Sequence, residues 1–198
     1  MNYIESHMPD PGFGHDTHMP DPIYEFAKPL LEKLAKKVAE EEKWHNSKYE
    51  IVNKAKNTTK GTFGEEFTAE MIKDVFSIAA DIIDGGIGDF DILTGINYNK
   101  KIEHKLACED TNGKFQFNSL KKDADYDYAF CLGVSPNNFW FMIVSKDEVK
   151  NLTTSMNPGT TVYKLTGSKK PIRAGTKTVK SMLPLTVENF KKEIAKIV

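Results

Sequence analysis

Between Gly85 and Leu106 the chain reads GGIGDFDILTGINYNKKIEHKL. Polar and apolar residues alternate on either side of a reversal at Gly95 and Asn97-Tyr98-Asn99. A period of two is the pattern of a β-strand, so the segment predicts two strands joined by a turn. Asp89 and Asp91 share one face of the first strand, with Phe90 and Ile92 on the other. On the return strand Glu103 and Lys105 share a face, opposite Ile102, His104 and Leu106. Three carboxylates and one lysine are thereby brought to one end of a hairpin. No other stretch constrains the fold as much, because carboxylates converge only where a cation offsets their repulsion.

The chemistry of such a cluster follows from its donors. Oxygen ligands with no His or Cys set beside them suit Mg²⁺, with Mn²⁺ able to substitute, rather than zinc. Mg²⁺ retains waters and shares its shell with phosphate, which makes activation of a water against a phosphodiester the natural reaction. Lys105, two residues after Glu103, can hold that water, contact the phosphate or, with a lowered pKa, help remove a proton. His104 falls on the opposite face and is read as a packed core residue, not a ligand. No Ser-His pairing, phosphate-binding glycine loop or CxxC offers a competing site.

The flanking sequence supplies the supports. Residues 1–22 carry HMPDP twice and are too rich in Pro for a helix; they read as a flexible leader, either a local duplication or an added tag sequence, with no chemistry assigned. From Ile23 to about Lys56, Leu30, Leu31, Leu34 and Val38 recur at helical spacing, and a second short helix is expected around Trp44, Tyr49, Ile51 and Val52. Asn57–Gly64 reads as a polar turn. Thr62 and Glu65 have the spacing of a capping box, opening a helix that runs from Glu65 to Ile83. Glu65 and Glu66 then fall in its first turn, where either can complement the helix dipole or point into the hairpin. Phe115–Asn118 predicts a short strand, Ser119 the cap of a short helix, and Ala129–Val134 with Phe139–Val144 a central antiparallel pair. Lys146–Leu152 and Leu183–Val198 predict helices, the latter closing the chain.

Charge is unevenly spread. Residues 1–150 hold 18 Lys and no Arg against 26 Asp and Glu, a net of -8, whereas residues 151–198 hold 8 Lys and Arg173 against Glu188 and Glu193, a net of +7. An acidic body with a basic C-terminal quarter suits a polyanionic partner. With one arginine in the chain, phosphate contacts fall to lysine, a point charge and not a bidentate fork. No apolar run approaches the roughly 20 residues of a membrane helix, and no signal peptide is read at the N-terminus. The two cysteines, Cys108 and Cys131, fall inside strands, which points to a reduced, cytoplasmic protein.

The order of these features resembles the PD-(D/E)XK nucleases, the restriction-endonuclease-like superfamily, over roughly Lys60 to Val149. Glu65 (or Glu66) matches the family's helix-borne acid. Asp91, ranked ahead of Asp89, matches the aspartate of its first motif, with Phe90 or Gly88 where the family has proline. Glu103-His104-Lys105 matches (D/E)-x-K. The resemblance implies an α/β fold, a central mixed β-sheet flanked by helices, formed as one nuclease domain over residues 23–198. Its core would span about 60–150, followed by a basic DNA-contacting segment over 156–181 and a closing helix over 183–198. It implies a small type II restriction endonuclease that cuts double-stranded DNA with Mg²⁺, works as a homodimer and is paired with a DNA methyltransferase. Asp91, Glu103, Lys105 and Glu65 would be catalytic, and Asp91, Glu103 and Asp89 would bind metal. Gln116, Asn118, Lys121, Lys122, Lys164, Lys169, Lys170, Arg173, Lys177 and Lys180 would contact DNA. A repair, recombination or phage nuclease of the same fold, a non-catalytic DNA-binding module, and an interaction domain with a solvated charged edge are the alternatives.

Overall fold

The computed structural model describes residues 22–83, 89–152, 154–155, 162–172 and 179–198. The HMPDP leader, the Gly85-Gly86 turn, Arg173 and Lys177 lie outside the described residues. In chain order the elements are α1 (Pro22–Trp44), α2 (Glu50–Lys54), α3 (Asn57–Phe76), β1 (Ala80–Ile82), β2 (Ile92–Thr94), β3 (Lys100–Cys108), β4 (Lys114–Lys121), β5 (Tyr128–Val134), β6 (Phe139–Ser145), α4 (Lys146–Leu152), β7 (Thr154–Ser155), β8 (Val162–Ser168), β9 (Val179–Ser181), β10 (Leu183–Pro184) and α5 (Val187–Ile194). Two compact units divide between Lys37 and Val38.

Along α1, Leu30, Leu31, Leu34 and Val38 are all exposed. Helical spacing gathers them into a stripe but does not decide what covers it. Trp44, at the end of α1, is buried with Val52 and Val134.

The polar turn expected over Asn57–Gly64 is instead the first part of α3. The capping box does not form: Thr62 Oγ1 donates to the Thr58 carbonyl at 3.3 Å. Glu65 therefore lies well inside the helix. The helix also stops sooner than the periodicity suggests. Ser77 adopts a left-handed conformation (φ 55°), its N–H donates to Lys73 O, and Ala80–Ile82 leave as a strand against β2.

A six-stranded mixed sheet runs in the order β1-β2-β3-β5-β6-β10. β1, β2 and β3 pair antiparallel, β3 and β5 pair parallel, and β5 and β6 form the expected antiparallel pair. The short helix expected after Ser119 is absent. β4 continues through Lys121 as part of a second sheet with β8, β7 and β9. A β-bulge between Phe117 and Leu120, with Ser119 at φ 64°, is what the sequence hid there.

The main sheet separates two cores. On one face Ile102, Phe130, Leu132 and Phe141 pack with Ala69 and Ile72 of α3 and Phe190 and Ile194 of α5. On the other, Ala129, Cys131, Met142 and Val144 pack against Phe115, Phe117, Leu120 and Leu165 of the second sheet. Strand alternation sorts each residue of β5 to one core or the other. The architecture is thus mixed α/β, a mixed sheet with helices against it. α5 is shorter than the closing helix read from sequence. Thr186 Oγ1 caps it by accepting the Asn189 N–H at 3.1 Å, and Leu183-Pro184 before it pair with β6. No helix among the described residues is long and apolar enough to cross a membrane. Cys108 and Cys131 are free thiols.

Candidate active site

β2 pairs with β3 only from Lys100 to Ile102. Beyond Ile102 that edge of β3 has no neighbouring strand among the described residues, and the charged residues gather there. Asp91 sits one residue before β2. Its N–H donates to Ile102 O at 2.9 Å, and its Oδ2 accepts the His104 N–H at 2.7 Å. The Asp91 carboxylate thus continues the ladder where β2 cannot, which fixes its position by two bonds to one strand. Glu103 and Lys105 project together from β3 toward the second sheet, as the alternation predicts. Glu65 comes from α3, on the helical side.

The Lys105 ammonium ties the group together. Its Nζ lies 2.5 Å from Glu103 Oε1 and 3.7 Å from Asp91 Oδ2, and it donates to His104 O at 3.0 Å. These side chains are only 12–24% exposed, so solvent screens their charges weakly. Burial opposes the charge on Lys105, but Glu103 and Asp91 outweigh it and raise its pKa above the usual value. The lowered pKa that would let Lys105 abstract a proton is not found; it is a donor. Burial pushes Glu103 up, Lys105 pulls it down, and Asp91 adds to the rise. Glu65 is also raised, first by burial and then by the Asp91 carboxylate, with Lys105 opposing. Glu65 and Glu103 thus each sense the Asp91 carboxylate and the Lys105 ammonium. Among the described residues no group of three His, Cys, Asp and Glu side chains is arranged as a ready metal cage.

A cleft of about 440 Å³ opens beside this edge. One wall is α3, with Asn57, Lys60, Gly61 and Glu65; the other is β4, with Gln116, Asn118 and Ser119. Asn57, Lys60 and Ser119 are the lining residues that sequence reading missed. Residues 57, 61 and 65 are spaced by four, so one helical face would have collected them had the segment not been read as a turn.

Asp89 does not join Asp91. It is exposed in a bend and borders a separate recess with Lys121, Asp123 and Ala124. Alternation failed because Asp89–Asp91 lie outside β2, which begins only at Ile92, so the two aspartates do not share a pleated face. His104 faces the helical side as expected. It is 3% exposed, its ring stacks on Phe130 at 5.8 Å, and neither ring nitrogen has a hydrogen-bond partner among the described residues. Burial and the nearby Lys105 charge lower its pKa to about 3, so the ring is neutral.

The residues expected on DNA divide into several groups. Asn118 is exposed at the cleft, whereas the Gln116 amide bonds both Asp110 (3.4 Å) and Thr166 (3.0 Å). Lys121 is close enough to Glu103 to lower its pKa. Lys122 Nζ lies over the Tyr163 ring, 3.9 Å from its centroid. Lys164 lies on β8, and Lys170 is exposed. Lys169 and Lys180 are engaged by the body: Lys169 pairs with the buried Glu109 at 2.7 Å, beside Lys43 at 2.8 Å, and Lys180 pairs with Glu148 at 2.8 Å. A search against protein-family models and one of curated proteins each find no match for this chain.

Proposed function

We propose that this protein is a Mg²⁺-dependent endonuclease that hydrolyses phosphodiester bonds of double-stranded DNA, with site-specific cleavage of the type II restriction kind. The observation that carries the reading is the Asp91–Lys105–Glu103 cluster at the open edge of β3, with Glu65 reaching it from α3. The donors suit a hard divalent cation. They are all carboxylate oxygens, they are half-buried, and two of them, Glu65 and Glu103, have pKa values raised first by burial and then by the neighbouring Asp91 carboxylate, which a cation would relieve.

Asp91 and Glu103 would hold the ion, and Glu65 would support it from the opposite wall. When bound, Mg²⁺ supplies an acidified water and charge neutralisation at the phosphate and leaving oxygen. The chain's own groups do the positioning. The Asp91 carboxylate is oriented by the His104 N–H. Lys105, held protonated, donates to the attacking water or to a phosphate oxygen. Lys60 and Asn57 on one wall, and Asn118 and Ser119 on the other, line the cleft in which a phosphodiester strand would lie. Lys121 adds positive charge close enough to Glu103 to lower its pKa.

Incubation of the protein with plasmid DNA and Mg²⁺ or Mn²⁺ tests the reading. Discrete fragments are expected, and none with EDTA. Nicking confined to branched or damaged DNA would assign the same chemistry to repair. DNA binding with no cleavage under either metal would refute the catalytic role.

A further inference from the structure

We propose that Lys105 is the site's resting counter-ion, and that a divalent cation binds only when the Lys105 ammonium leaves Asp91 and Glu103. This rests on the metal-dependent reading of the site. The ammonium and a metal ion would compete for the same oxygens. Lys105 Nζ contacts Glu103 Oε1 at 2.5 Å and approaches Asp91 Oδ2 at 3.7 Å, which are the carboxylates placed to hold the ion. A third contact, to His104 O at 3.0 Å, anchors it to the unpaired edge of β3.

Two positive centres cannot share this space. Mg²⁺ demands oxygens at about 2.0–2.1 Å in near-octahedral array, and an ammonium bonded to Glu103 and 3.7 Å from Asp91 repels it at short range in a half-buried setting. Among the described residues no three His, Cys, Asp or Glu side chains are gathered to hold a metal ion, and Asp91 and Glu103 are instead paired with the Lys105 ammonium. The metal-free protein is therefore held together by its own lysine. Once released, Lys105 needs a new anionic partner, and a phosphodiester in the adjoining cleft is the one the proposed reaction supplies.

Titration of the wild-type protein with Mn²⁺ in the absence of DNA, read by calorimetry and by the decline of the free-Mn²⁺ EPR signal, tests this directly. Lys105→Met removes the competing charge and should bind Mn²⁺ about tenfold more tightly or better, the scale of one short ion pair in a weakly screened site. Lys105→Arg retains the charge and should bind no more tightly than wild type. If the Met variant does not fold, as circular dichroism would reveal, Lys105→Gln keeps a neutral donor to Glu103 and should show the same tightening. Equal or weaker Mn²⁺ binding by the neutral variants, with wild type binding measurably, would overturn the counter-ion role and leave the metal site standing. Absence of binding by every variant would overturn both.

Discussion

Gly64 of α3 lies so close to the His104 ring of β3 that a Cβ built on it would overlap Cε1, and would lie 3.1 Å from Nδ1 and 3.2 Å from Leu106 Cδ1. The His104 ring cannot retreat, because Phe130 stacks behind it. Glu65, the next residue along α3, therefore owes its reach into the cleft to this close approach. Gly64→Ala should push α3 off β3 and destabilise the protein by about 1–3 kcal/mol, the usual cost of overpacking. It should lower DNA cleavage as well, because Glu65 moves with the helix. Urea denaturation and a plasmid assay measure the two effects. An unchanged urea midpoint would show that the two elements are not in the contact described.

The buried His104 imparts an acid sensitivity. Its folded pKa, about 3, lies below the ordinary 6.5, so the unfolded chain takes up a proton that the folded chain refuses. The sign follows: stability is unaffected above pH 6.5 and falls as pH drops from 6.5 toward 3. His104→Leu removes the titration while keeping an apolar group against Phe130. Between pH 6.5 and 4 the variant should gain on wild type by about 1.4 kcal/mol per pH unit. Thermal melts of both proteins at pH 7 and 5 decide it; parallel losses would exonerate His104.

Glu65 and Glu103 titrate in the opposite sense. Both have folded pKa values raised above the ordinary 4.5, chiefly by burial. Each binds a proton more tightly when folded, so its contribution is favourable below the ordinary value and is lost as pH rises through the raised one. Glu65→Gln should make the metal-free protein more stable at pH 7 and flatten the pH slope in that window. A Tm lower than wild type at pH 7 without metal would contradict the assignment. The same substitution should weaken Mn²⁺ binding, since it removes a carboxylate.

Asp91 has a structural and a proposed chemical task, and Asp91→Asn separates them. The amide oxygen still accepts the His104 N–H, so the fold should persist with a Tm close to wild type. Cleavage should fall at least about 100-fold, because a neutral amide neither attracts a cation nor balances Lys105. Full activity would move the site elsewhere.

The shared face of Glu103 and Lys105 was legible in the sequence because a β-strand's alternation is local. Glu103 and Lys105 two residues apart must share a face, and His104 must oppose them. β5 and β6 were legible for a similar reason, as continuous apolar runs that only a central position can bury. The choice between Asp89 and Asp91 was not, because it turned on where β2 begins, and that is set by pairing with Ile102. Nor was the cleft. The segment Asn57–Gly64 has turn composition, yet it forms the first part of α3, where Gly64 closes against His104 of β3, 40 residues away in sequence. The bulge at Asn118-Ser119 depends on register with β8 and leaves no local signature.

By itself the sequence determined which face of β3 Glu103, His104 and Lys105 take, because within a strand side-chain direction follows from backbone period alone. The tertiary structure decided that Glu65 and not Glu66 faces the site, that Asp89 stands apart, and that Lys169 and Lys180 are bound to carboxylates of the body. It also decided the state of Lys105. A lysine's pKa and partners depend on burial and on charges delivered by distant segments, so the tightly held ammonium at the edge of β3 exists only once α3, β2 and β3 have met.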